Sequence, residues 1–240
     1  VTSSGLSKAL DFGNRVSVIL GTMRGTHYVE NVLKVRIPFI QKIIRETEAL
    51  PAGTAEKISE GLAEILKKRL PRLTEDTTPG LLSNIVSGRI ANFFGCNGAN
   101  FIIDAACASS ALAIRAAIFN LLSGKSDFVI TGGVDTNFYP TAMLVFKRLG
   151  LLSEKGTHVF DENGTGVNLS EGAAIQVLTT YRKAKELGMP VLAEIRSLEM
   201  QSKAGDNMFS PSAPLFCKVI EEAHKKAGSC RDEIDHLDAF

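Results

Sequence analysis

Excess charge of either sign is missing from this sequence: 27 Lys and Arg stand against 26 Asp and Glu, a formal balance of +1. A dedicated nucleic-acid surface concentrates Lys and Arg, so none is expected. The densest basic run, Lys67-Lys68-Arg69, reads as the solvated face of a helix. No apolar stretch reaches the length of a membrane span, and the N-terminus carries no signal-peptide pattern. Cysteine is sparse. Cys96, Cys107, Cys217 and Cys230 include no pair spaced by two residues, which argues against a zinc site or a dithiol redox motif. A chain of this size needs no disulfide staples, so reduced thiols and a cytoplasmic location are expected. Two glycosylation sequons, Asn163-Gly164-Thr165 and Asn168-Leu169-Ser170, would matter only in a secreted protein. Nucleotide-binding glycine loops are also missing. Gly21-Thr22-Met23-Arg24-Gly25 lacks both the three-glycine fingerprint and the P-loop ending, and reads as a plain strand-to-helix turn. Asp161-Glu162-Asn163-Gly164 opens like a calcium loop, but its twelfth position is Gly172 where a Glu is required. No metal is therefore expected.

What is present is an ordinary globular composition, 45% apolar and 22% charged over 240 residues. Strand-like and helix-like stretches alternate, which points to an α/β fold with a largely buried sheet. Strands are predicted at residues 15–20, 101–103, 128–131, 173–178 and 191–198, with one more starting at 234. Residues 36–70 read as two helices broken at Pro51-Ala52-Gly53-Thr54, and Pro71 closes the second. A further helix carries Leu81, Leu82, Ile85, Val86, Ile90 and Phe93, and Gly88 inside it suggests a close packing contact. Gly132-Gly133 suggests a close backbone approach or a positive φ. Residues 138–152, rich in Phe, Met, Leu and Val, are either core or the wall of an apolar ligand site.

The chain is best organised around Asp104-Ala105-Ala106-Cys107-Ala108-Ser109-Ser110, which follows Phe101-Ile102-Ile103 and leads into an apolar helix. A thiol at the first turn of a helix faces the positive end of the macrodipole, which favours thiolate. Such a thiolate is a nucleophile for acyl transfer. The bland reading is a free cysteine serving as a small core hydrophobe.

The motifs Leu73-Thr74-Glu75-Asp76-Thr77-Thr78-Pro79-Gly80, Gly88-Arg89-Ile90-Ala91-Asn92 and Asp104 to Ser110 occur in that order. Gly132-Gly133-Val134, Leu152-Ser153, Phe160-Asp161 and Ser170-Glu171-Gly172-Ala173 continue the series. In order and spacing the series resembles the β-ketoacyl synthases of the thiolase superfamily, above all the ketosynthase domains of modular polyketide and polyunsaturated-fatty-acid synthases. The resemblance implies a thiolase-like, layered α/β fold with a mixed sheet, comprising the N-terminal half and the start of the C-terminal half. Residues 1–240 would form one partial ketosynthase domain, with 36–75 a helical insertion within it.

The resemblance also implies decarboxylative Claisen condensation. Cys107 would be the acyl acceptor, with its own backbone N–H donating to the thioester oxyanion. Ala106, Ala108 and Ser109 would leave room for a pantetheine arm, and Phe146 would wall the acyl site or else be plain core. Glu171 and Asp161 would orient loops. No cofactor is expected in the domain itself, since substrates arrive on the phosphopantetheine of an acyl carrier protein. Other expected partners are a second copy, paired through residues 100–104, and the remaining domains of a multidomain synthase.

Two histidines and a lysine of the family's pattern do not appear. His27, His158, His224 and His236 do not replace them, and Phe240 stands near the register of the first. A start at Val1 without an initiator methionine adds to the expectation of a fragment inactive in condensation by itself. The segment Asn168-Leu169-Ser170 also departs from the family's glycine-rich form there. The alternative is a non-condensing scaffold or acyl-binding partner lacking the histidines. A thiol hydrolase ranks last, for want of a base near Cys107.

Overall fold

A computed structural model of the chain describes residues 10, 15–23, 27–51, 53–70, 72, 74, 75, 77, 79–136, 138–202 and 212–238. The proposed closure at Pro71, the middle of the loop after Met23, and Ala239 and Phe240 lie outside the described residues. Contacts divide the chain into two compact units, Val1–Gly188 and Met189–Phe240. No described helix is long and apolar enough to cross a membrane.

The first unit is built on a four-stranded mixed sheet in the order β2-β1-β3-β4. Its strands are β1 (Val16–Gly21), β2 (Asn100–Ile103), β3 (Phe128–Asp135) and β4 (Gly172–Thr179). β1 pairs parallel with both β2 and β3, while β4 runs antiparallel to β3. β1 is buried at every residue, as a continuous apolar run covered on both faces should be. β2 and β4 are the edges, and β4 is exposed over its first five residues, so burial is confined to the centre of the sheet.

Seven helices are described: α1 (His27–Arg45), α2 (Thr54–Arg69), α3 (Ile85–Phe94), α4 (Ser109–Leu122), α5 (Pro140–Arg148), α6 (Tyr181–Glu186) and α7 (Ala213–Ala227). α4 lies on the sheet through small residues. Ala113, Ala117 and Leu121 meet Ile19 and Val129, with Phe101, Ile103 and Leu178 packed around them. α1 begins nine residues earlier than its apolar spacing suggests and continues through Pro38. It packs on α2, where Arg45 forms a two-point hydrogen bond with Glu56 at 3.1 Å and Gln41 donates to the Ser59 carbonyl. The segment read as one helix from residue 81 is a 3-10 turn, Pro79–Leu81, followed by α3.

Gly88 corrects a packing expectation. Among the described residues a Cβ there would meet only Asn100 Oδ1, at 3.9 Å, so no close contact among them requires the glycine.

In the second unit, residues 191–198 form no strand. A strand needs a ladder partner, and among the described residues of this unit there is none. Side chains tie this irregular segment and the residues just after it to α7 instead. Arg196 donates to the Ala227 carbonyl at 2.8 Å, and Lys226 pairs with Glu199 at 2.8 Å. The strand expected from residue 234 is irregular chain through residue 238, preceded by a 3-10 turn, Arg231–Glu233. α7 ends at Gly228, whose left-handed conformation (φ 63°) stops the helix.

Candidate functional site

The three parallel strands point to one edge, where β1 and β2 end level and β3 runs two residues further, to Asp135. Gly21 of β1 is in register with Ile103 of β2 and Gly133 of β3, so the chains leaving β1, β2 and β3 emerge at one edge of the sheet. In open α/β sheets that carboxyl edge is where ligands bind. Cys107 is there, four residues beyond β2.

The link from β2 to α4 is a built turn. Cys107 occupies a single 3-10 turn, Ala106–Ala108, and α4 itself begins at Ser109, so the thiol lies just ahead of the α-helix and not within its first turn. Ala106 has φ 49°, a left-handed conformation that costs an L-residue with a Cβ about 1–2 kcal/mol. Several bonds hold it. Asp104 Oδ1 accepts from the Ala106 N–H at 3.3 Å, and the Ala105 carbonyl accepts from the Ala108 N–H at 3.1 Å. The Ser109 hydroxyl accepts from the Ala105 N–H at 2.9 Å and donates to the Ala106 carbonyl at 2.6 Å.

The turn projects Cys107 into solvent between exposed Ala106 and Ala108. Exposure removes the reading of this thiol as a core hydrophobe. The Cys107 N–H has no acceptor among the described residues. Ser109 is different: it is buried and its hydroxyl is committed to the backbone. It belongs to the frame of the turn.

Glycines let the frame sit flush on the sheet. A Cβ on Gly21 would collide with the backbone of Ser109 and Ser110. A Cβ on Gly133 would come within 2.9 Å of Ser110 Cβ. Gly132 satisfies the other expectation, with φ 147° and the Ala174 carbonyl where a side chain would start.

Phe146 lies half-buried on α5, in the segment that follows β3 out of the same edge of the sheet. The connection is anchored by Glu171, whose Oε1 accepts from the Phe138 N–H at 3.2 Å, just before Gly172 of β4 pairs with Asp135. Asp161 organises its own loop. Its Oδ1 accepts from the Asn163 N–H at 2.7 Å and from Asn163 Nδ2 at 2.9 Å, and these bonds hold its carboxyl below the usual range. Phe160 beside it has φ 59°.

Two of the histidines have partners close to them in the chain. His158 Nε2 is within 3.3 Å of the Lys155 carbonyl, and His224 Nδ1 within 3.1 Å of Ser229 Oγ. Cys96 is partly buried, and burial pushes its thiol up. No cluster of three or more metal-ligating side chains occurs among the described residues.

Sequence reasoning missed two parts of this site: Gly21 as the floor beneath α4, and Ser109 as the clamp on Ala106. A signal for the second was present, since a Ser at a helix start commonly bonds nearby backbone. Gly21 gave none, because the register that brings it beside Gly133 is long-range.

The chain is 32% identical over 148 residues to polyketide synthase GfsA of Streptomyces halstedii, which covers 61% of this chain and 2% of that protein. It is 34% identical over 143 residues to the mycoketide-CoA synthase of Mycobacterium tuberculosis, covering 59% of this chain and 3% of that one. The chain thus matches only a small share of these relatives' length. Its fold superposes on the oxazolomycin ketosynthase domain of Streptomyces albus JA3453 with a TM-score of 0.70 at 22% identity, over 97% of this chain and 35% of that one. A β-ketoacyl synthase of Burkholderia phymatum STM815 gives a TM-score of 0.70 at 23% identity, over 94% and 50%. At such identities these likenesses establish the thiolase-like fold. The family model for the beta-ketoacyl synthase N-terminal domain matches residues 2–184, a span that includes the whole sheet and the Cys107 turn, and the chain belongs to that family.

Proposed function

We propose that Cys107 accepts an acyl chain as a thioester and that the synthase containing this domain extends it by decarboxylative condensation with a malonyl-carrier protein. The observation that carries this reading is an exposed thiol on a strained turn at the carboxyl edge of the sheet, beside an N–H with no acceptor among the described residues.

In the loading step, Cys107 gives up its proton and its sulfur attacks the carbonyl carbon of a carrier-bound thioester. The Cys107 N–H donates to the oxyanion that forms, a contribution worth about two to three orders of magnitude in rate. The carbon–sulfur bond to the pantetheine then breaks, and the pantetheine thiolate takes the proton. In the extension step, a malonyl thioester loses carbon dioxide, and the electron pair of the broken C–C bond becomes an enolate. The enolate carbon attacks the Cys107 thioester, and Cys107 leaves as thiolate. This is acyltransferase chemistry.

Ala106 and Ala108 leave space beside the sulfur for the pantetheine arm, with Ser109 beneath it, and Phe146 walls the acyl chain. Nothing in the chemistry requires a cofactor held by the domain. An acyl carrier protein and the neighbouring domains of a synthase are the partners. A second copy pairs along residues 100–104, where β2 is a sheet edge that such pairing would cover.

The 240 residues alone are proposed to load but not to condense. Decarboxylation needs a cationic or hydrogen-bonding partner for the malonyl group, and His27, His158, His224 and His236 all fall outside the family's motifs for one. The test is mass spectrometry after incubation with iodoacetamide, and separately with an acyl-pantetheine thioester. Cys107 should be modified ahead of Cys96, Cys217 and Cys230, and no carbon dioxide should be released from malonyl carrier protein. Equal modification of all four thiols would overturn the proposal.

A further inference from the structure

We propose that Ser109 is the positioning residue for Cys107, its hydroxyl clamping the left-handed Ala106 so that the thiol and the adjacent N–H present themselves together to an incoming acyl group. This rests on the reading of Cys107 as acyl acceptor.

A serine opening a helix ordinarily caps the amides ahead of it. Ser109 reaches backward. One hydroxyl accepts from the Ala105 N–H and donates to the Ala106 carbonyl, so it bonds on both sides of the residue with φ 49°. The hydroxyl is shut away from water, since Ser109 is 5% exposed. Gly21 lies directly under its backbone, so the clamp is braced against the floor of the sheet. The direction in which Cys107 leaves the turn is set by the torsion at Ala106. An alanine takes that torsion only when its surroundings hold it there, whereas a glycine takes it freely. Ser109 and Ala106 are therefore a coupled pair: the hydroxyl is needed because the residue is alanine.

The coupling gives a test that separates positioning from stability. In acyl transfer, the Cys107 Sγ–carbonyl bond forms, the donor's carbon–sulfur bond breaks, and the donor thiolate takes the proton Cys107 lost. That step needs sulfur and N–H aligned on one carbonyl, whereas alkylation by iodoacetamide needs only an accessible sulfur. The parent 240-residue chain, Ser109→Ala and the double variant Ser109→Ala with Ala106→Gly are compared. Acylation by an octanoyl-pantetheine thioester and alkylation by iodoacetamide are both followed at Cys107 by mass spectrometry.

The expected result is that Ser109→Ala loses roughly 100-fold in acylation, the cost of about 1 Å of misplacement, with alkylation near the parent rate. Ala106→Gly in that background should restore most of the loss. Acylation of Ser109→Ala at the parent rate would overturn the proposal, as would parallel loss of both reactions or failure of Ala106→Gly to restore acylation. A parent chain that forms no acyl adduct at Cys107 would overturn the nucleophile reading itself, and this inference with it.

Discussion

Gly21, the last residue of β1, lies directly beneath the backbone of Ser109, the first residue of α4, with no room between them for a methyl group. The contact joins the centre of the sheet to the turn that carries Cys107. Gly21→Ala would push α4 off the sheet and tilt the turn with it. Overpacking of this kind should destabilise the first unit by about 3 kcal/mol. Urea denaturation should show it as a lower midpoint with unchanged slope, together with slower acylation of Cys107.

Gly88 offers the opposite case. It sits inside α3 and, among the described residues, only Asn100 Oδ1 comes near the place a Cβ would take, at 3.9 Å. Gly88→Ala should stabilise the protein by about 1 kcal/mol, the helix-propensity difference between the two residues. A lower thermal midpoint would show that the helix needs the glycine after all.

Thr131 is fully buried on β3, between Ile19 and Gln176 in the register, and its hydroxyl has no hydrogen-bond partner among the described residues. Val has the same shape without the hydroxyl. Thr131→Val should therefore raise stability by about 1 kcal/mol, recovering the desolvation cost of an unpaired polar group. Chemical denaturation of the two proteins side by side measures it.

Asp161 links its loop to pH. Its charged carboxylate is the form that accepts both bonds from Asn163, so its midpoint lies below the usual value. The ordering it supplies is present above the ordinary carboxylate range and is lost as pH falls through the lowered value. Asn163→Ala should move the midpoint upward, towards that of a free aspartate. Carbon-13 shifts of the Asp161 carboxyl across an acid titration would show the change. Because the group is exposed, the effect is local to the loop.

The sequence by itself determined much of this protein. Apolar runs and their periods located β1, β2, β3 and β4, and broadly the helices, because burial on a sheet or along a helix face writes itself into neighbouring residues. The order of short motifs pointed to the family that residues 2–184 match, and singled out Cys107 as the proposed nucleophile. Tertiary structure decided the rest. Residues 191–198 alternate like a strand but lack a ladder partner among the described residues, and pairing is a property of two segments. Gly21 and Gly133 lie far apart in the chain, yet a parallel register places them side by side under α4. Ser109 looked like a small residue beside the thiol, and only the path of the turn showed its hydroxyl facing back to Ala105 and Ala106. Local pattern carries identity and element type. Register and close approach depend on residues distant in sequence, and the direction a side chain faces depends on the path the turn takes between them.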